Sequence, residues 1–438
     1  MSIGVVTLIM FGCLFLCIFL GIPIAWAMGG VATLSALFLW GPEALGVMAL
    51  HVWKQWTNSI LMCIPLFFLL ANLLQRSGMA EDLYEMMYRW LGGLKGGLAI
   101  GTVVICTIFA AISGITSAGI ITMALIALPS MLKRNYDKNI VLGGIVTGGA
   151  LGSLIPPSVI MILYAYVARE SIGRLWFGGF MPGFLTSALF ITYIAIRCYL
   201  NPRLGPALPP EERVGWSEKL GSMKAVVLPL LVILLILTTI YLGICTPTEA
   251  AVIGCLGMLM AVGIHRRLTW SLLRDSLYPT FRLSGMIFWV LLGITCFNAI
   301  YVSMGAKKLV EAMVLGFEVS PFAIIAVMMV IVFFLGMIMD DFAIILICAP
   351  IFVPIVKALG FNPIWYGILF VMNIQIAYCT PPYGFSLFMM RTVVPEGITM
   401  GDIYRSVYPF VLCQVTALVM VMFFPQIALW LPGMMITK

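Results

Sequence analysis

Charged side chains are scarce in this sequence. The 24 Lys and Arg and 17 Asp and Glu residues make up 9% of its 438 residues, whereas soluble globular proteins carry about 25%. Apolar residues make up 63%, and long apolar stretches recur along the whole chain. A water-soluble fold is therefore excluded. At about 20 residues per span, the chain has room for roughly ten membrane crossings.

Histidine is nearly absent, and cysteine occurs without a metal-binding or disulfide pattern. The only histidines are His51 and His265, and the 11 cysteines include no CxxC pair, which argues against a metal cluster and for buried, inert thiols. The chain also lacks a G-x-S-x-G nucleophile elbow and an intramembrane His/Glu metal motif. We therefore expect no enzymatic activity. The net charge is +7. The basic residues lie in short connections, where they set membrane topology.

Two apolar regions are too long for one span, and each is interrupted near its middle. The region 97–133 breaks at 112–119, and the region 320–356 breaks at 336–341. The flanking helices, of about 15–17 residues, are marginal for crossing about 30 Å of hydrocarbon. We interpret both regions as helical hairpins that enter and leave the membrane on the same side.

An internal repeat is the most informative pattern. Four landmarks recur in the same order, 224 to 226 positions apart: Pro23 with Pro247, Asn72 with Asn298, Pro129 with Pro354, and Pro156 with Pro381. Each unit has about five spans, and an odd number of spans inserts the second unit upside down. We therefore predict an all-α polytopic protein with inverted repeats at 1–200 and 223–438.

The polar segment between the repeats, 201–222, is predicted to be a linker. Five basic residues between Arg197 and Lys224 indicate that it lies in the cytoplasm. Two charged segments, 80–92 and 305–317, are predicted to be amphipathic helices lying along the membrane interface.

A second kind of break lies in one span of each repeat. Pro156 and Pro157 interrupt the span 140–165, and Pro381 and Pro382 interrupt the span 363–390. Proline removes an amide donor, which leaves upstream carbonyls without partners. Such carbonyls can ligate a hard cation, and helix N-termini suit an anionic group. Inverted repeats with matching interrupted helices are typical of secondary transporters.

Polar residues at the breaks are the candidate site residues, and each has an alternative role. Ser113, Thr116, Ser117 and Ser153 can supply hydroxyl oxygens to a cation, although small residues also serve helix packing. Asp340 and Asp341 are costly within the bilayer. They could balance a bound cation, cap the second arm of the hairpin, or reach water at its tip.

Taken together, these motifs resemble the large membrane subunit of tripartite ATP-independent periplasmic (TRAP) transporters, the DctM-like proteins. The resemblance extends over essentially the whole chain. The residues that carry it are Gly21–Ala25, Gly148–Ser158, Thr246–Ala251, Met339 and Asp340 before an arm ending in Pro350 and Pro354, and Thr380–Gly384.

The resemblance implies sodium-coupled import of a small organic anion, a carboxylate or a sulfonate, across the bacterial inner membrane. The expected partners are a small four-helix membrane subunit and a soluble periplasmic substrate-binding protein. The fold is expected to be of the ion-transporter type, in which a transport domain holding both hairpins moves as an elevator against a scaffold.

The resemblance also implies two sodium sites, with the substrate between the hairpin tips. The first sodium site would comprise Ser113, Gly114, Ser117, Gly152 and Pro156, and the second Gly336, Asp340, Thr380 and Pro381. The residues expected to contact the substrate are Thr116, Ser153, Asp341 and Gly384. The alternatives are a stand-alone sodium- or proton-coupled anion transporter of the same fold and, less favoured, a passive channel or a membrane enzyme.

Overall fold

The computed structural model describes residues 3–305 and 320–435, with the side chains of residues 224 and 225 excepted. These residues form nineteen α-helices and no β-strand. The helices of the first half are α1 (Ile3–Phe19), α2 (Ile24–Ser35), α3 (Ala44–Trp56), α4 (Cys63–Arg76), α5 (Met79–Leu91), α6 (Gly97–Ser113), α7 (Thr116–Lys133), α8 (Lys138–Ala150), α9 (Val159–Ala168) and α10 (Ile172–Leu200). The helices of the second half are α11 (Trp216–Tyr241), α12 (Pro247–Ile264), α13 (Trp270–Ser303), α14 (Pro321–Gly336), α15 (Asp341–Ala358), α16 (Pro363–Tyr378), α17 (Phe385–Arg391), α18 (Met400–Phe423) and α19 (Gln426–Gly433).

Seven of the described stretches are long and apolar enough to cross a membrane. They are Ser59–Arg76, which contains α4, together with α7, α10, α12, α13, α15 and α18. Six further apolar helices have 10–17 residues: α1, α2 with its π-helical extension Ala36–Trp40, α6, α9, α14 and α16. Residues 3–305 and 320–435 are thus all-helical, with the apolar helices of a multi-pass membrane protein, as the composition predicts.

One group of helices consists of α1–α5 and α11–α13. Helix α13 packs along α2, α3 and α4, while α12 packs on α4 and α11. The crossing of α13 and α2 is close because Gly293 has no side chain: a Cβ there would overlap the carbonyl oxygen of Ala25. Small residues allow membrane helices to approach in this way. Gly293 therefore has a packing role, and its contact is the backbone of Ala25 in the motif Gly21–Ala25.

The second group consists of α6–α10 and α14–α19. Helix α8 packs against α6, α7 and α18, and α10 packs against α6, α18 and α19. The two groups meet where α4 and α5 contact α6 and where α13 contacts α15. All four interrupted regions, 97–133, 138–168, 321–358 and 363–391, belong to this second group.

The linker between the halves is docked onto the connections of the first half. The amide of Gly96 donates to the carbonyl of Gly205 at 2.8 Å, and the amide of Leu208 donates to that of Gly92 at 2.8 Å. The Glu212 carboxylate accepts hydrogen bonds from the Tyr88 hydroxyl at 2.7 Å and from Arg134 at 2.9 Å. The linker thereby joins α5 of the first group to the end of α7 in the second.

The helix bounds differ from the sequence-based expectation in several places. No span is predicted between 40 and 58, where α3 lies. Helix α11 begins at Trp216, inside the predicted linker 201–222. The last apolar stretch, 405–432, is expected to be one span, but it is interrupted at Phe424 and Pro425, where α18 ends and α19 begins, because proline cannot donate to the preceding turn.

The amphipathic segment predicted at 80–92 coincides with α5 to within one residue at each end. Residues 306–317 of the second predicted segment lie outside the described residues.

Candidate functional site

The tip of the first interrupted region lies directly against the Pro156–Pro157 break. Gly114 ends α6 in the left-handed conformation, with φ of 60°, and a Cβ there would overlap the carbonyl oxygen of Pro157. A Cβ on Gly152 would lie 3.1 Å from the carbonyl carbon of Ile115. Glycine permits both the positive φ and the close approach. The two breaks therefore contact each other through backbone atoms.

The helices behind this contact are equally close. A Cβ on Gly149 of α8 would lie 2.7 Å from the amide nitrogen of Ile120, and one on Gly119 of α7 would lie 3.3 Å from the Cα of Gly149. These glycines hold α7 along α8, which keeps the tip against the break.

Two hydroxyl groups at the tip are buried without a partner. Ser113 ends α6 and Thr116 begins α7, and both side chains are buried. Neither hydroxyl makes a hydrogen bond to any described residue. A buried polar group without a partner is costly, and hydroxyl oxygens are suitable ligands for a hard cation. The predicted ligand Ser117, one position further along α7, is half-buried.

The hydroxyl groups of the Pro–Pro break itself have partners within the protein. Ser153 donates to the carbonyl of Ala150 at 2.9 Å, and Ser158 donates to the carbonyl of Ser153 at 2.6 Å. Ser158 also caps α9 by accepting from the amide of Met161, while its own carbonyl accepts from the Trp176 indole. Sequence reasoning gave Ser158 no role, although a serine between a Pro pair and an apolar run is a helix N-cap signal. Residues 151–160 are all buried.

The tip of the second interrupted region carries the two aspartates, and they differ in environment. Asp340 is exposed and caps α15 by accepting from the amide of Ala343 at 2.8 Å. Asp341 is buried, and its carboxylate accepts from the amide of Phe342 at 3.0 Å. The capping alternative is therefore realised by Asp340. At the end of α14, a Cβ on Gly336 would lie 2.6 Å from the Cβ of Ala377, three positions before Thr380.

The second Pro–Pro break is more open than the first. Pro382 and Tyr383 are exposed, and the Pro382 carbonyl accepts from the Tyr404 hydroxyl at 2.8 Å. Thr380 donates to the carbonyl of Ile376 at 2.7 Å, which leaves its hydroxyl lone pairs available. Gly384 has φ of 51°, and a Cβ there would lie 3.0 Å from the carbonyl oxygen of Thr380. The predicted residues Thr380, Pro381 and Gly384 thus form one tight turn.

At these breaks, helices of each half of the chain pack against helices of the other half. Helix α17 begins directly after the second Pro–Pro break and packs against α7 and α8. Helix α9 begins after the first Pro–Pro break and packs against α15 and α16. Because α17 has seven residues and α9 has ten, each break lies beside the interrupted region of the other half.

The segments that form the tips contain no basic residue. Neither 97–132 nor 320–356 includes Lys or Arg. The N-termini of α7 and α15, which carry partial positive charge, and the nearby hydroxyls are the groups these segments offer to an anion.

Comparison with known proteins identifies the family. Residues 11–427 match the model of the tripartite ATP-independent periplasmic transporter, DctM component. The chain belongs to this family. The resemblance predicted from the motifs is thus confirmed.

Relatives of this DctM component are named as large permease proteins of TRAP transporters. The C4-dicarboxylate permease DctM of Pseudomonas aeruginosa is 31% identical over 405 residues, which cover 92% of this chain and 93% of that protein. The ectoine/5-hydroxyectoine permease UehC of Ruegeria pomeroyi is 31% identical, covering 86% and 87%. The isethionate permease protein DctMQ of Oleidesulfovibrio alaskensis is 28% identical, covering 97% and 66%. The chain is therefore the large permease subunit of a TRAP transporter, not an enzyme.

Solved structures share the fold of this DctM component at low sequence identity. The YdaH transporter of Alcanivorax borkumensis has a TM-score of 0.61 and 12% identity, covering 88% of this chain and 89% of that one. MtrF of Neisseria gonorrhoeae has a TM-score of 0.58 and 15% identity, covering 93% and 94%. Both are transport proteins, and the likeness concerns the fold.

Proposed function

We propose that this permease subunit imports a small organic anion, a carboxylate or a sulfonate, in symport with sodium ions. Two sodium sites would lie at the breaks, one at the tip of α6 and α7 and one at the turn Thr380–Gly384. The anion would occupy the space between the two tips.

The contact between Gly114 and Pro157 carries the proposal. It brings two helix breaks together at the place where the buried hydroxyls of Ser113 and Thr116 make no hydrogen bond to a described residue. Oxygen ligands without partners suit sodium, a hard cation. In the second half the lone pairs of Thr380 and the buried carboxylate of Asp341 would supply the corresponding oxygens. This proposal moves Asp341 from the substrate contacts to the sodium site in place of Asp340, because Asp340 is exposed and caps α15.

Two observations support an elevator mechanism built on inverted repeats. The four interrupted regions all belong to one helix group, so that group can carry both sites as a unit. Matching helices also begin at nearly constant offsets: α7 and α15 at Thr116 and Asp341, and α8 and α16 at Lys138 and Pro363, each pair 225 positions apart. The group of α1–α5 and α11–α13 would be the static scaffold.

Family membership supports the proposed partners, a small four-helix membrane subunit and a periplasmic binding protein, and a location in the bacterial inner membrane. The relatives are named for C4-dicarboxylates, ectoines and isethionate, and two of these three classes are organic anions. A gene for a periplasmic binding protein beside the gene for this chain would favour the tripartite system over a stand-alone transporter.

Uptake into proteoliposomes tests the proposal. The chain and its small subunit are reconstituted together, and binding protein loaded with labelled succinate or isethionate is added outside. We expect uptake under an inward sodium gradient and none under potassium or proton gradients. Uptake of the free anion without binding protein would favour the stand-alone alternative, and uptake driven by protons alone would exclude sodium coupling.

A further inference from the structure

A large cavity lies between the two helix groups, and Leu346 of α15, five positions after the tip residue Asp341, belongs to its lining. Its volume is about 660 Å³, within the range of about 300–1,000 Å³ of small-molecule sites. Its walls come from α3 and α13 on one side and from the turn between α9 and α10 on the other.

The lining of this cavity is basic. His51, Lys54 and Arg169 line it, and Glu170 is the one acidic residue among the lining residues described. Glu170 forms an ion pair with Lys357 at 2.6 Å, which neutralises its charge. Lys54 and Arg169 make no ion pair or side-chain hydrogen bond with any described residue. The cavity therefore offers positive charge that the described protein does not compensate.

Amide groups add neutral hydrogen-bond donors to the same wall. Asn58 uses its side-chain oxygen to accept from the amide of Ile60, which leaves its amino group free to donate into the cavity that it lines. Asn298 lines the cavity from α13 and is half-buried. An ammonium, a guanidinium and amide donors form the set that recognises a carboxylate or a sulfonate.

The position of the cavity along α10 indicates to which side of the membrane it opens. Ile172, the first residue of α10, lines the cavity, and Leu200, the last, adjoins the linker. A helix of 29 residues is about 43 Å long, more than the hydrocarbon core, so the cavity and the linker face opposite sides. With the basic linker in the cytoplasm, the cavity faces outward, where basic residues are under-represented.

We propose that this cavity is an outer anion subsite, in which Lys54 and Arg169 bind the carboxylate or sulfonate of the arriving substrate before it reaches the hairpin tips. The inference rests on the proposed function for its substrate class. It gives the anion an initial electrostatic contact that the segments 97–132 and 320–356, which lack Lys and Arg, do not supply.

Chemical footprinting of the full-length protein tests this site directly. Arg169 is modified with phenylglyoxal in detergent, and the rate is read by peptide mass spectrometry with succinate, isethionate or sulfate as the probe at constant ionic strength. We expect about tenfold protection at a probe concentration ten times the apparent dissociation constant, by mass action. Lys54→Gln should require about tenfold more probe, as loss of a charge-assisted contact predicts, and Lys54→Arg should restore protection.

Two controls test whether the protection is specific to this cavity. Arg174 is exposed, lies in the first turn of α10, five positions after Arg169, and does not line the cavity, so its modification should not respond to the probes. Arg169→Asn keeps the left-handed backbone of Arg169, with φ of 55°, because asparagine tolerates that conformation. It removes the charge and should abolish protection of Lys54 from acylation by the same probes.

The outcomes separate this inference from the proposed function. Melting in sodium against potassium is measured on the same samples, and Lys54→Gln and Arg169→Asn should leave any sodium effect unchanged. Unprotected Arg169 with an intact sodium effect would overturn the subsite alone. Protection without a sodium effect would support the subsite and count against sodium coupling. Protection by phosphatidylglycerol nanodiscs, with no further effect of the free probes, would assign the cavity to lipid headgroups and overturn the proposal.

Discussion

Gly114, at the end of α6, lies against the carbonyl oxygen of Pro157 in the first Pro–Pro break. This backbone contact joins the interrupted region 97–133 to the interrupted region 138–168 within one half of the chain. It also positions the buried hydroxyls of Ser113 and Thr116 beside the break.

Gly114→Ala should disrupt this contact. The left-handed conformation costs a non-glycine residue about 1–2 kcal/mol, and the added methyl group would also overlap the Pro157 carbonyl. Gly21→Ala is a matched control, because Gly21 has φ of 79° and no atom within 4 Å of its Cβ position. Thermal unfolding should show a larger loss for Gly114→Ala. Equal losses would mean that the contact contributes nothing to stability.

Ser113→Ala should have an effect that depends on sodium, and Ser158→Ala one that does not. The hydroxyl of Ser113 makes no hydrogen bond to a described residue, so its removal should leave the stability in potassium unchanged or raise it, and should weaken only the stabilisation by sodium. Ser158→Ala removes a helix cap and should cost about 1 kcal/mol in both salts. A loss of stability in potassium for Ser113→Ala would show that its role is structural.

Asp341→Asn should lower the affinity for sodium. A buried carboxylate near a bound cation contributes an attraction that an amide lacks, and we expect about tenfold more sodium to be needed for half-maximal stabilisation. Asp340→Asn keeps the helix cap and separates the two assignments: it should leave the sodium titration unchanged if Asp341 is the ligand, whereas a shift in this variant alone would return Asp340 to the site. An unchanged sodium titration in Asp341→Asn would remove Asp341 from the site.

The linker contact should depend on pH through Glu212. Hydrogen bonds from Tyr88 and Arg134 hold the pKa of the Glu212 carboxyl below its usual value. A lowered pKa means that the contact stabilises the docked linker above about pH 4 and is lost as the pH falls further. Hydrogen exchange of the Leu208 amide, corrected for the intrinsic rate, should increase in that range. Glu212→Gln should show the faster exchange already at neutral pH, and protection equal to wild type would contradict this role.

The positions of the breaks could be predicted from sequence, because glycine and proline act locally. Ser113 and Gly114 end α6, and the two Pro pairs interrupt their spans where the pattern places them. The contact of Gly114 with Pro157 could not be predicted, since it joins residues of different helices through tertiary packing. The helix cap that Asp340 provides became visible only in the distance to the Ala343 amide.

Residues outside the Gly and Pro landmarks of the sequence were harder to predict. Helix α3 is short and carries Lys54 among tryptophans, so it has neither the length of a span nor a clear polar face. Its lysine shares a cavity with Arg169 only because α13 brings α3 beside the turn after α9. No local sequence pattern indicates that Lys54 and Arg169 lie near the same cavity.

Melting of the purified protein in sodium chloride, against potassium and choline chloride at equal ionic strength, tests the central claim most directly. A ligand that binds the folded state raises its stability with concentration. We predict a rise specific to sodium that is weakened in Ser117→Ala and in Thr380→Ala. Identical melting in the three salts up to high concentration would contradict sodium binding at the breaks.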